Sequence, residues 1–169
     1  WLDENAVKLH LNARALGERD GGLAVELEGG SETVLPADNI LVTVGRKPVT
    51  QGWGLENMAL DMDGRYVRVD EQCATSMKNV WAIGDLVGEP MLAHKASAQG
   101  EVVAEVIAGK RRRFDPVAIP AVCFTEPEIV SVGAEPSLAG TVTGVFPVAA
   151  NGRALSMDAG DNGGFVRVV

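Results

Sequence analysis

Apolar and polar positions alternate in short runs along most of this chain, and the spacing lengthens to a helical one in a single long stretch. Val7, Leu9 and Leu11 alternate with Lys8, His10 and Asn12, the period of a half-buried strand, after a helix end over residues 2–5. The turn signals Asp20-Gly21-Gly22 and Gly29-Gly30-Ser31 bracket an apolar run at 23–27, which predicts two successive hairpins, a small antiparallel meander. Residues 40–44, ILVTV, form a nearly continuous apolar run expected to be a strand buried on both faces. A linker rich in glycine then carries a short helical piece at 55–58, and a hairpin turning at Asp63-Gly64 joins 60–62 to 66–69. Residues 80–83, VWAI, read as the end of a buried parallel strand, and residues 92–108 read as a helix that stops at Gly109. After the break at Asp115-Pro116, strands are expected within 119–124, 129–132, 142–149 and 165–169.

Composition narrows the classes of function. At 46% hydrophobic and 22% charged, the 169 residues are globular in type and long enough for one core or two small ones. A net charge of −8 argues against a nucleic-acid partner, which would require clustered Lys and Arg. The one basic run, Lys110 to Arg113, follows the helix end, either as the expected complement to its dipole or as a docking patch. No apolar stretch approaches a membrane span and no signal peptide opens the chain, so a soluble, cytoplasmic protein is expected. Cys73 and Cys123 are 50 positions apart in strand-like contexts and read as two buried thiols that are not redox partners. His10 reads as solvated surface, and no metal site is expected. Trp1 is not an initiator Met, and the chain reads as cut from a longer one.

Candidate chemistry concentrates at residues 75–100. Gly84 removes a side chain where a ligand could approach the backbone, and Asp85 places a carboxylate at a strand end, where open α/β sheets bind ligands and where it would suit a sugar hydroxyl. The helix start at Met91-Leu92-Ala93-His94 brings free N–H groups and a positive dipole end toward the same crevice. Taken alone, AIGD also fits an ordinary strand-loop-helix with a turn Asp.

The segment from Thr75 to Asp85, a Thr, a short spacer and a strand ending Ala-Ile-Gly-Asp, resembles the second FAD fingerprint of the pyridine nucleotide-disulfide oxidoreductases. VTVGRKP before it, and FTEPEI and FPVAANGRA after it, are similar to the same family in the same order, so the resemblance covers nearly the whole chain. Within that family, MLAHKASAQGEVVAE resembles the dihydrolipoamide dehydrogenases, and the wording with AVCFTEPEIV resembles those of branched-chain 2-oxoacid dehydrogenase complexes.

The resemblance implies an α/β fold. It would comprise parts of Rossmann-like, three-layer FAD- and NAD-binding domains, followed by the start of an α+β dimerisation domain. Residues 1–48 would end the NAD-binding domain, 49–117 would form the central domain with the returning FAD segment, and 118–169 would begin the interface domain. It further implies FAD contacts at Gly84, Asp85, Met91, Leu92, Ala93 and His94. Gly45 is a chain-reversal glycine by its own sequence context. By resemblance it is an NAD-contacting backbone, with Arg46 and Lys47 as phosphate or flavin-side neighbours, and Ala15, just after the first strand, lies near the adenine. The implied partners are a second copy in a homodimer and the lipoyl domain of a 2-oxoacid dehydrogenase complex. The family's two glycine-rich loops, its Cys-x4-Cys pair and its acid-base His and Glu do not occur in residues 1–169, so no catalytic residue is expected here and this chain alone should not catalyse the reaction. The stretch between Gly133 and Phe146 is also shorter than the helix a family member carries there; either the helix is deleted or residues are missing, and the latter is expected. Two other readings stay open: another flavin disulfide reductase or NAD(P)H oxidase, and a non-catalytic cofactor-binding or dimerisation module.

Overall fold

The structure, a computed structural model, describes residues 2, 5–158 and 164–169. The chain divides into two compact units, Trp1–Gly45 and Arg46–Val169. In the first, β1 (Arg14–Arg19), β2 (Gly22–Glu26) and β3 (Glu32–Pro36) form an antiparallel sheet in the order β1-β2-β3. The two-residue turn between β1 and β2 has positive φ at both Asp20 (50°) and Gly21 (78°), the conformation whose twist matches a hairpin and for which Asp-Gly is suited. The meander is as expected, but its first strand is not. Residues 7–10 are extended without a strand partner, and the ladder begins at Arg14, where Arg14 pairs with Glu26 both in register and as an ion pair. The expected helix end over 2–5 falls partly on Asp3 and Glu4, outside the described residues. Ala15, expected after the first strand, lies inside β1 opposite Val25, beside an irregularity in register before Gly17.

The apolar run at 40–44 is not a strand, and Leu41 and Val44 are 88% and 93% exposed. A central strand exists only where neighbours on both sides take its N–H and C=O groups, and β3 ends the ladder at Pro36.

In the second unit, a 3-10 turn (Leu55–Asn57) and the hairpin β4 (Met62–Asp63) to β5 (Tyr66–Val67) pack with Ala82 into a small core. Met58, Leu60, Val69, Leu86 and Val87 close around Leu55, Val67 and Ala82. The expected parallel strand at 80–83 forms instead a single antiparallel bridge between Trp81 and Ala74, because the chain returns on itself through residues 75–80. Helix α1 (Ala93–Ile107) follows within one residue of expectation and is ended by Gly109 at φ 83°. Beyond it, β6 (Ala121–Cys123) pairs with β7 (Ile129–Ser131), and β8 (Gly144–Pro147) with β9 (Phe165–Val168). Helix α2 (Gly152–Ser156), not expected from the sequence, starts where Asn151 accepts hydrogen bonds from the Arg153 and Ala154 N–H groups.

Every sheet among the described residues is antiparallel. Among those residues no helix is long and apolar enough to cross a membrane, and no cluster of three His, Cys, Asp or Glu side chains could hold a metal ion.

Candidate functional site

The Thr75 to Asp85 segment owes its shape to one side chain. Thr75 donates both its N–H (3.0 Å) and its hydroxyl (2.9 Å) to the Val80 carbonyl, closing the 75–80 loop so that Ala82 N–H can reach the Cys73 carbonyl (3.0 Å). Asp70 supports the same return by accepting from the Gln72 and Ala74 N–H groups. The backbone then turns through a short 3-10 segment, Gly84–Val87, that lies against the first turns of α1.

Gly84 has φ 73°, and a Cβ there would meet the Ala96 Cβ at 3.1 Å. Close approach to the helix therefore accounts for the glycine, and its N–H donates to the buried Gln99 Oε1 at 2.8 Å. Asp85, next in sequence, makes no hydrogen bond or ion pair among the described residues and is half-buried. The turn leads to Glu89, whose carboxylate accepts from the Tyr66 hydroxyl (3.2 Å) and from the Met91 N–H (3.1 Å). Leu92 N–H is taken by the Pro90 carbonyl at 3.0 Å. Two of the four expected helix-start donors are thus already engaged. The backbone N–H groups of Ala93, His94 and Lys95 have no partner among the described residues, and Leu92 caps the helix with no side-chain acceptor. His94 Nε2 donates to the Pro120 carbonyl at 2.8 Å; since a carbonyl only accepts, that nitrogen carries the proton.

Sequence reasoning overlooked Lys95 and Gln99. Both lie on the inner face of α1 with Val102, at the i, i+4, i+7 spacing that a packed helix reserves for apolar residues. Burial lowers the Lys95 pKa, and the Asp85 and Glu89 carboxylates oppose that shift. The same environment holds Cys73, raised by burial and then by Asp70. Cys73 is buried as expected, but Cys123 is exposed on β6, where no layer covers the two-stranded ladder. Both thiols are free. The basic run is largely consumed locally: Lys110 and Arg112 pair with Glu105, and Arg113 with Glu71 and Asp115. Gly45 is exposed at φ 128° at the edge of the first unit. A 670 Å³ groove lined by Ile119, Val130, Val132, Pro136, Phe165 and Arg167 shares no residue with this site.

A carboxylate and a set of backbone donors on one turn offer acceptors for hydroxyls beside donors for an electron-rich ring edge, the donor set a flavin requires. The sequence pattern described as pyridine nucleotide-disulphide oxidoreductase matches residues 2–100. The chain belongs to this family. Among oxidoreductases of the family, a dihydrolipoyl dehydrogenase of Pseudomonas aeruginosa is 58% identical over 168 residues, covering 96% of this chain and 36% of the relative. One from Geobacillus stearothermophilus is 46% identical over 177 aligned positions, covering 99% and 37%. That alignment is longer than the 169-residue chain, so the relative carries residues that this chain lacks. Among solved structures, LpdA from Mycobacterium tuberculosis superposes with a TM-score of 0.82 at 31% identity, covering 98% of this chain and 37% of its own. A Cu(II) complex of the HOCl-induced flavoprotein disulfide reductase RclA from Escherichia coli gives 0.82 at 26%, covering 98% and 39%. The fold is therefore part of the α/β architecture of the flavoprotein disulfide reductases. The chain spans a little over a third of the length of the curated relatives it matches.

Proposed function

We propose that this chain is a segment of a dihydrolipoyl dehydrogenase, an oxidoreductase that uses FAD and passes electrons from dihydrolipoyl groups to NAD. The observation that carries the reading is the 84–95 turn, where the unpartnered Asp85 carboxylate and three free helix donors share one short element. The 58% identity to a relative of that name supports it. Asp85 would accept a hydrogen bond from a ribityl hydroxyl. The N–H groups of Ala93, His94 and Lys95, at the positive end of α1, would stabilise negative charge on the pyrimidine side of the ring. Met91 and Leu92 would line the same edge with their N–H groups already engaged, and Gly84 would hold the turn against the helix. Bound FAD supplies the redox chemistry, and the chain's contribution is to orient it and exclude water. Gly45 and Ala15 would contact NAD through their backbones.

On this reading residues 1–48 end the NAD-binding domain, 49–117 carry the returning FAD segment and 118–169 begin the dimer-interface domain. A homodimer serving the lipoyl domain of a 2-oxoacid dehydrogenase complex, of the branched-chain type, is the corresponding assembly, in the cytoplasm. The likeness to RclA favours one second reading, a flavin disulfide reductase with another substrate. The test is NAD reduction by dihydrolipoamide with the full-length, flavin-loaded protein. Turnover supports the proposal. Absence of turnover with reduction of another disulfide supports the second reading, and a full-length protein that purifies without flavin and cannot be loaded overturns both.

A further inference from the structure

The inner face of α1 carries two polar side chains where apolar ones would pack. Lys95 and Gln99 are each only 5% exposed. Burying an ammonium and an amide costs free energy unless their hydrogen bonds are made inside, so their partners identify what they are there to hold. Those partners are the two ends of a single turn. Gln99 Oε1 accepts from Gly84 N–H at 2.8 Å, and Lys95 Nζ donates to the Gly88 carbonyl. Asp85 lies between these two grips, and the helix that supplies them is the one whose free N–H groups start at Ala93. One rigid element thus fixes the donor set and the acceptor in the same frame. A turn of four residues that includes Gly84 at positive φ has little stiffness of its own.

We propose that Lys95 and Gln99 are positioning residues that clamp the Gly84–Gly88 turn to α1 and so hold the Asp85 carboxylate in register with the helix start. The proposal rests on the flavin reading above. Lys95 also brings a positive charge near the Asp85 and Glu89 carboxylates, which keeps two like charges tolerable on one turn.

A double-mutant cycle on the full-length protein tests it, read as the dissociation constant of FAD from reconstitution of the apoprotein. If Lys95 acts through Asp85, Lys95→Met weakens FAD binding about tenfold in the wild-type background and less than about twofold in Asp85→Ala, since coupled residues are not additive. Gln99→Leu should show the same loss of effect, while Gln99→Glu, which keeps an acceptor for the Gly84 N–H, should stay near wild type. Should Lys95→Met not fold, Lys95→Gln, too short to reach Gly88, enters the same cycle with the same expectation. Equal losses in both backgrounds would mean a merely structural role and overturn the clamp, as would no loss in either. Failure of the flavin reading looks different: wild type and Asp85→Ala would then bind FAD equally weakly.

Discussion

Within the second unit, residues 55–102 and residues 118–169 answer the same apolar composition in opposite ways. The first stretch closes a core: Leu55, Val67, Cys73, Ala82 and Val102 are buried, and the helix that covers them also supplies the site. In the second, no described residue is buried, and Phe124, Val142 and Phe146 stand 83%, 87% and 51% exposed although β6 to β9 are fully paired in two ladders. Hydrogen-bonded pairing and hydrophobic burial are therefore separable: a hairpin can satisfy its backbone locally, whereas its apolar face needs a second layer. The accessible area of 13136 Å² exceeds the roughly 8,000 Å² of a compact protein of this mass, and the uncovered ladders contribute to the excess.

The contrast breaks most easily at Leu55. Leu55→Ala should cost the 169-residue polypeptide about 2–5 kcal/mol in denaturant unfolding, while Phe124→Ala should change it by less than about 0.5 kcal/mol. Equal effects would show that the open stretch has found a layer of its own. Next in size is Asp85→Ala, expected to weaken FAD retention in the full-length protein by about 1–3 kcal/mol, the range for losing a charge-assisted hydrogen bond. Equilibrium dialysis reads this, and unchanged retention would place the flavin contact elsewhere. Gly84→Ala should lower stability by roughly 1–2 kcal/mol through the left-handed backbone, with the Ala96 contact adding to it, and a thermal melt measures the loss.

The smallest effect separates the two stretches by chemistry. Iodoacetamide should modify Cys123 in the folded protein and leave Cys73 untouched until unfolding, which mass spectrometry of the labelled peptides would show. Burial raises the Cys73 thiol, so forming its thiolate favours the unfolded chain. The stability it contributes is complete below the ordinary thiol value and is lost as pH rises through the raised one. That alkaline decline should shrink in Cys73→Ala and persist in Cys123→Ser.

What could be read in the sequence was what local chemistry decides. The helix over 92–108 and its stop at Gly109, the Asp63-Gly64 hairpin and the strands after Pro116 all follow from periodicity and turn residues within a few positions, and the observed elements sit where those signals place them. The expectations that failed depended on distant partners. Residues 7–11 and 40–44 have strand patterns without strand neighbours, and β1 forms from the unpromising RALGER because Glu26 and Glu32 lie opposite its two arginines. Cys123 looked buried because β-rich context usually comes with a covering layer. At the site, Asp85 and the helix start were legible as a motif, but the inward Lys95 and Gln99 were not. A polar residue on a helix gives no sign in the sequence of which backbone group waits beneath it.

Each sheet described here joins strands that are neighbours in the sequence, and this bears on the order in which the polypeptide acquires its shape. Contacts between near neighbours close short loops, and hairpins of this kind form in about 1–10 μs. During synthesis the β1-β2-β3 meander has all its pairing partners by Pro36, and the β4-β5 hairpin by Val67. The bond between Gly84 and Gln99 spans 15 residues and waits only for the first half of α1. A nascent chain can thus finish its ligand-facing turn before β6 exists, leaving the apolar ladders that follow as the stretch most in need of a chaperone.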